Sequence, residues 1–169
     1  MPPSIEIRRL APGDDAARAG RIVQASYFAL EGYPHDEVYD AILGDVATRA
    51  READVVVALL DGELVSCLTF VADDANPHAE FRDPEGSSFR YFGVDPAAQG
   101  RGVGEAMVGW CVAEARRLGK RRLRIHTLTM MHAAQRLYER LGFVRDPSAD
   151  EDWDGVVGLA YRLDLDVAA

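Results

Sequence analysis

Between Ser4 and Leu10 (SIEIRRL) apolar and polar residues alternate, the period of a half-buried strand. Pro12, Asp14 and Asp15 suit a first helical turn, and Ala16, Ala19, Val23, Tyr27 and Leu30 then recur at helical spacing. After the Gly32-Tyr33-Pro34 break, Val38, Ile42 and Val46 predict a second, shorter helix. Asp54 to Leu60 (DVVVALL) is a β-branched and apolar run, and Glu63 to Phe70 is a second candidate strand. The Asp61-Gly62 pair between them signals a tight hairpin. Residues 73–86 form a polar loop with Pro77, Pro84 and Gly86, and Ser87 to Val94 (SSFRYFGV) is the next strand. Gly93 within it marks a bulge or a close backbone approach. A helix follows from Gly102 to Leu118, with Val103, Met107, Trp110, Cys111, Ala115 and Leu118 as its apolar stripe and Gly119 as its cap. Arg122 to Leu128 is a strand, and residues 131–141 are a helix with Ala134, Leu137, Tyr138 and Leu141 on one face. Gly142 ends that helix, Phe143-Val144 starts a short strand, and an acidic loop (DPSADEDWDG) leads to a last strand, Val156 to Leu165. The order β-α-α-β-β-β-α-β-α-β-β predicts an α/β (α+β) domain, one mixed sheet covered by helices.

The 169 residues suit one compact domain, 1–169, whose core needs no disulfide or metal to hold it. Cys67 and Cys111 are too few and too far apart for a disulfide framework or a zinc cluster. No apolar stretch is long enough for a membrane span, and MPPSIEIRRL lacks a signal-peptide core, so the expected location is the cytoplasm, away from membranes. The net charge of −9 is uneven. Residues 1–86 carry a net −10, residues 87–145 a net +7 and residues 146–169 a net −6. The acidic total disfavours duplex nucleic acid, while the basic middle suggests a locally bound anionic ligand.

The chemistry concentrates in Y91-F-G-V-D-P-A-A-Q-G-R-G-V-G-E105, where a strand ends, a glycine-rich turn follows and a helix begins. Unpaired N–H groups and the positive dipole end at a helix start can hold phosphate, and Gly100, Gly102 and Gly104 keep side chains out of its way. Arg101 adds a mobile positive charge. This is not a P-loop, since Glu105 and Ala106 follow Gly104 where Lys-Ser/Thr would stand. It is not the dinucleotide fingerprint either. Glu105 occupies the third glycine position, and the region about 20 residues on is basic.

Gln99-Gly100-Arg101-Gly102-Val103-Gly104 fits Q/R-x-x-G-x-G/A, and A134-Q-R-L-Y-E-R-L-G-F143 fits A-x-x-L-Y-x-x-x-G-F, one helix and one strand later. In both blocks the sequence resembles the Gcn5-related N-acetyltransferases, the GNAT superfamily. The resemblance implies a mixed, mostly antiparallel sheet of six to seven strands with helices on both faces, in which strands 87–94 and 122–128 splay apart. It also implies acetyl-CoA as co-substrate, no metal, and a primary amine of a small molecule or peptide as acceptor. On that reading Phe92 and Val94 pair with the pantetheine amides, and the N–H groups of Gln99, Gly100, Arg101, Gly102, Val103 and Gly104 hold the pyrophosphate. The Val94 N–H is the candidate for polarising the thioester carbonyl.

The resemblance implies that Tyr138 stabilises the departing thiolate. A phenol titrates near 10 and such a thiol near 8.5, so full proton transfer is uphill by about 2 kcal/mol and hydrogen bonding is the expected role. Two positions depart from the family. Met131 stands where many relatives have an Asn that bonds the coenzyme, giving an apolar contact at most, and Ser88 stands near the usual Glu base. His126, His132, His35, His78 and Glu85 are the candidates for a replacement base. The acceptor site is expected among Tyr27, Glu31, Tyr33, Tyr39, Asp152 and Trp153, acidic and aromatic residues that suit a cationic amine. Neutralising Glu31 or Asp152 is expected to raise the KM for amine. Neither cysteine sits in a reactive setting, which points to direct transfer. A longer acyl-CoA donor, or a non-catalytic acyl-CoA-binding module, are the alternatives. Exposed strand edges allow a homodimer.

Overall fold

A computed structural model describes residues 2–166. The chain runs β1 (Ile5–Arg9), α1 (Ala16–Phe28), α2 (Glu37–Gly44), α3 (Val46–Glu52), β2 (Asp54–Leu60), β3 (Glu63–Val71), β4 (Gly86–Val94), α4 (Val103–Arg117), β5 (Arg122–Leu128), α5 (His132–Arg140), β6 (Val144–Arg145), β7 (Glu151–Trp153) and β8 (Val156–Asp164). Short 3-10 turns cover Pro96–Ala98 and Pro147–Ala149. All eight strands join one sheet in the order β1-β2-β3-β4-β5-β8-β6, with β7 added on β8. The sheet thus has one strand more than the six or seven expected. Every pairing is antiparallel except β4 with β5.

That parallel pair is short. It runs from Gly86↔Arg122 to Ser88↔Arg124 and then stops, although both strands continue. Beyond Ser88 the strands part and the sheet opens. A bulge in β4 helps to redirect it. Cys67 faces Gly93 while Thr69 faces Arg90, so β4 carries one extra residue there, and Tyr91 takes the left-handed φ of +52°. Gly93 serves the close approach instead of the bulge. A Cβ on it would lie 2.9 Å from Val23 Cα and 3.2 Å from the Ile22 carbonyl, so α1 can cross here only over a glycine.

Two apolar clusters fill the two faces. Phe70, Phe89, Met107, Cys111, Leu123, Ile125, Tyr138 and Phe143 pack between the sheet and α4–α5. Ala19, Val23, Tyr27, Tyr33, Leu43, Val46, Cys67, Tyr91 and Leu128 pack on the α1–α3 side. Asp15 caps α1, its carboxylate accepting from the Arg18 N–H at 2.9 Å, so that helix begins after the acidic pair and not at it. Asp14 instead binds Arg8.

The single helix expected through Val38, Ile42 and Val46 is two helices. Asp45 ends α2 and caps α3 through the Thr48 N–H, and Val38 and Ile42 face solvent while Leu43 and Val46 are buried. Buried Arg49 closes the junction by donating to the Ile42 and Leu43 carbonyls and laying its guanidinium 4.3 Å from the Tyr91 ring centre. On α4, Val108 and Glu114 are buried as well, Trp110 is half-buried against the core, and Leu118, expected on the stripe, is exposed. The acidic loop is also more structured than expected. Asp154 and Gly155, at φ +56° and +92°, make a second tight hairpin that creates β7.

Candidate active site

The opening between β4 and β5 is part of one cavity of about 1550 Å³ that reaches both faces of the sheet. At one end lies the start of α4. Gly102 is its N-cap at φ +83°, and no side chain caps the helix, so its first N–H groups are open to an anion. Gly100 is also left-handed, at φ +79°. Gln99 folds back, its Nε2 donating to the Val94 carbonyl at 3.3 Å.

The structure brings Phe92, Val94, Gln99, Gly100, Gly102, Val103, Gly104, Met131, Tyr138, Tyr27, Tyr33 and Trp153 to the walls of this cavity. Glu31, Arg101 and Asp152 do not line it. Glu31 and Arg101 are exposed, and the Asp152 carboxylate accepts from the Gly155 N–H inside the hairpin turn. The positive field expected from residues 87–145 is mostly consumed locally. Arg90, Arg117, Arg121, Arg122, Arg124 and Arg145 pair with Glu80, Glu114, Glu85, Asp83, Asp146 and Asp150. The helix start, more than a basic field, is what remains for an anion.

Tyr138 is 2% exposed, beside Phe89, Phe143 and Tyr161. Burial, with a smaller contribution from Cys111, holds its phenol well above the usual range. Met131 turns its Sδ toward the Leu128 N–H, at 3.4 Å. Both cysteines are buried; burial pushes Cys67 up to about 12, partly offset by Arg49, and burial, with Glu114 adding to it, holds Cys111 well above its ordinary range.

Of the replacement-base candidates, His126 alone lines the cavity. His35 pairs with Asp40, His78 with Glu52, Glu85 with Arg121 and Arg122, and His132 is exposed. His126 projects from β5 away from Leu123, Ile125 and Thr127, toward the α1–α3 side. There the cavity is walled by Tyr27, Tyr33, Tyr39, Phe81 and Trp153, with Glu80, Asp36, Asp74 and Glu151 as carboxylates and Arg82 and Arg90 as cations. Burial pushes the Tyr39 phenol up to about 12, with Arg90 opposing. Glu80, Phe81 and Arg90 went unnoticed in the sequence, because nothing in a polar loop or a strand interior marks which residues fold over a cleft. Among the described residues no group of three His, Cys, Asp or Glu could hold a metal ion, and no helix is long and apolar enough to cross a membrane.

A mixed sheet that parts between two parallel strands, with an uncapped helix start at the mouth of the gap, is the arrangement that the resemblance of the two sequence blocks implied. The model of the Acetyltransferase (GNAT) family matches residues 19–143. The chain belongs to the GNAT acetyltransferase family. It is 31% identical over 154 residues to a mycothiol acetyltransferase of Cellulomonas flavigena, covering 86% of this chain and 42% of the relative. A mycothiol acetyltransferase of Geodermatophilus obscurus is 43% identical over 61 residues, 36% of this chain and 20% of the relative. The chain thus spans less than half the length of these curated relatives. Among solved structures, yncA from Salmonella typhimurium, determined with its cofactor acetyl-CoA, matches with a TM-score of 0.65 at 22% identity, over 98% of this chain and 96% of that one. PH1933 from Pyrococcus horikoshii matches with a TM-score of 0.72 at 18% identity, over 97% and 100%. These two likenesses concern the fold.

Proposed function

We propose that the protein transfers the acetyl group of acetyl-CoA to a primary amine by direct attack of the amine on the thioester. The observation that carries this reading is the gap beyond Ser88 and Arg124 with the uncapped start of α4 at its mouth. Acetyl-CoA fits these residues. The N–H groups of Gln99 to Gly104 hold its pyrophosphate, Phe92 and Val94 offer backbone to the pantetheine arm, and Met131 gives an apolar wall. Its chemical contribution is an activated acetyl group on sulfur.

The Val94 N–H polarises the thioester carbonyl as negative charge develops on its oxygen. Tyr138 donates a hydrogen bond to the departing sulfur. Its raised pKa keeps the phenol protonated and makes outright transfer of its proton still more uphill than for an unperturbed tyrosine. The two buried thiols are held protonated, which disfavours an acetyl-cysteine and supports direct transfer. The aromatic and carboxylate walls on the α1–α3 side suit an amine that arrives as a cation. The reading places catalysis in the cytoplasm.

Calorimetric titration with acetyl-CoA, followed by thiol release against amino acids, polyamines and arylalkylamines, tests the proposal. Binding with amine-dependent thiol release is expected. Absence of coenzyme binding contradicts the proposal, and binding without turnover across the panel favours a non-catalytic module.

A further inference from the structure

The loop before β4 folds Glu80 and Phe81 over the α1–α3 side of β5, and two buried polar atoms there, Arg124 Nε and His126 Nδ1, are left without a hydrogen-bond partner. His126 lies between the Phe81 ring, stacked at 4.2 Å between centroids, and the Trp153 ring, edge-on at 5.2 Å. Its side chain is 2% exposed. Its Nε2 is 2.9 Å from the Ala149 carbonyl oxygen, and a carbonyl only accepts, so Nε2 carries the hydrogen. Nδ1 makes no hydrogen bond and faces Glu80 Oε2 at 3.6 Å.

With a neutral imidazole this is two acceptors facing each other with no hydrogen between them, a costly arrangement for buried groups. One proton on Nδ1 turns the same geometry into an ion pair. The site is therefore shaped to receive a proton. Glu80 connects it to the cavity, which it lines, and Arg90 Nε lies 3.4 Å from Glu80 Oε1. The other charged groups around His126 are Asp150, ahead of β7, and Arg124, whose guanidinium lies 4.6 Å from the Phe81 ring centre.

We infer that Glu80 and His126 form a two-group acceptor for the proton that an amine substrate must lose, with Glu80 touching the ammonium and His126 Nδ1 holding the proton behind it. This rests on the acetyl-transfer reading above. The ammonium gives one proton to Glu80 Oε2, which passes it to Nδ1, and the freed nitrogen lone pair attacks the thioester carbon. The C–N bond forms, the C–S bond breaks, and a second N–H proton leaves on sulfur as the thiol. The proton on His126 then returns to solvent. One ammonium and one thioester give one amide, one thiol and one proton. Glu80 is the catalytic base and His126 its proton store. The pair takes over the work for which Ser88 has no chemistry.

Two measurements test this. In the first, the free, ¹⁵N-histidine-labelled protein is titrated by NMR. His126 is expected as the Nε2–H tautomer at pH 8, with Nδ1 the atom that gains a proton on acidification. Glu80→Gln moves that step to lower pH, because the stabilising carboxylate is gone. A bare Nε2, or a His126 that does not respond between pH 5 and 9, overturns the inference. In the second, thiol release is followed with spermidine, tyramine and L-lysine. Glu80→Gln and His126→Gln are each expected to lower kcat/KM for amine by roughly 10²-fold or more at pH 7. The loss should shrink as rising pH supplies neutral amine, with the acetyl-CoA Kd within about twofold of wild type. A loss equal at every pH overturns it. A wild-type protein that binds no acetyl-CoA refutes the transfer reading instead, and the NMR titration then decides the proton acceptor alone.

Discussion

Gly102→Ala tests whether the turn before α4 is held in its left-handed shape. Nothing in the free protein lies within 4 Å of a Cβ built there, so the substitution meets no neighbouring residue and its effect on stability is purely conformational. A non-glycine residue at φ +83° costs roughly 1–2 kcal/mol. That cost has two places to appear. If the fold holds the turn, unfolding free energy in urea falls by about 1–2 kcal/mol and coenzyme affinity falls only as far as the added methyl crowds the diphosphate. If the turn relaxes to negative φ, stability is spared, the N–H groups rotate away from the anion, and binding must restore them, which weakens acetyl-CoA by about 5- to 30-fold. The two losses together therefore come to at least about 1–2 kcal/mol. Gly119→Ala is the control, since Gly119 is also left-handed at φ +73° with open space around it, but lies at the far end of α4. It should lower stability alone. Gly102→Ala with both stability and affinity unchanged would refute the reasoning.

Tyr138→Phe is expected to reduce kcat by roughly 10²-fold while leaving the acetyl-CoA Kd within about twofold, read by thiol release and calorimetry. Arg122, aided by the Glu85 N–H and Arg124, pulls the Asp83 carboxyl down to about 2. A depressed folded-state pKa contributes stability above the unfolded value near 3.8, lost as pH falls toward 2. The contribution is about 2 kcal/mol, so Asp83→Asn should lower stability by that order at pH 7 and flatten the acid limb of a urea-denaturation series. Gly93→Ala should cost about 1–3 kcal/mol by thermal unfolding, because its Cβ meets the backbone of α1. Glu31→Gln and Asp152→Asn are expected to leave the amine KM unchanged, since neither residue lines the cavity.

Where local chemistry decides the conformation, the sequence could be read directly. Asp61-Gly62 makes the tight hairpin it signals, and the turn around Gly100 and Gly102 stands between strand and helix as its glycines require. The same logic applied to Asp154-Gly155 would have found β7, but the surrounding acidic residues suggested only a loop. Helical spacing misled at Val38, Ile42 and Val46, because Asp45 offers the backbone a cap that a continuous helix would forgo. The proposed coenzyme side of the site rests on backbone, so a glycine motif is enough to suggest it. The acceptor side depends on which loop residues fold over β5. Glu80 and Phe81 meet His126 there, and Arg90 meets Glu80, only through long-range packing, which leaves no periodic trace. Gly93 shows both cases at once. Its presence announced a constraint, and only the structure shows that α1 imposes it, while the bulge belongs to Tyr91.

The most direct measurement is a crystal structure of the protein with acetyl-CoA. The account predicts the diphosphate within hydrogen-bonding distance of the main-chain N–H groups between Gln99 and Gly104, and the pantetheine arm passing between β4 and β5 beyond Ser88. It also predicts the acetyl carbonyl at the Val94 N–H and the sulfur within reach of the Tyr138 hydroxyl. A coenzyme bound on another surface, or a gap closed by strand pairing past Ser88 and Arg124, would contradict it.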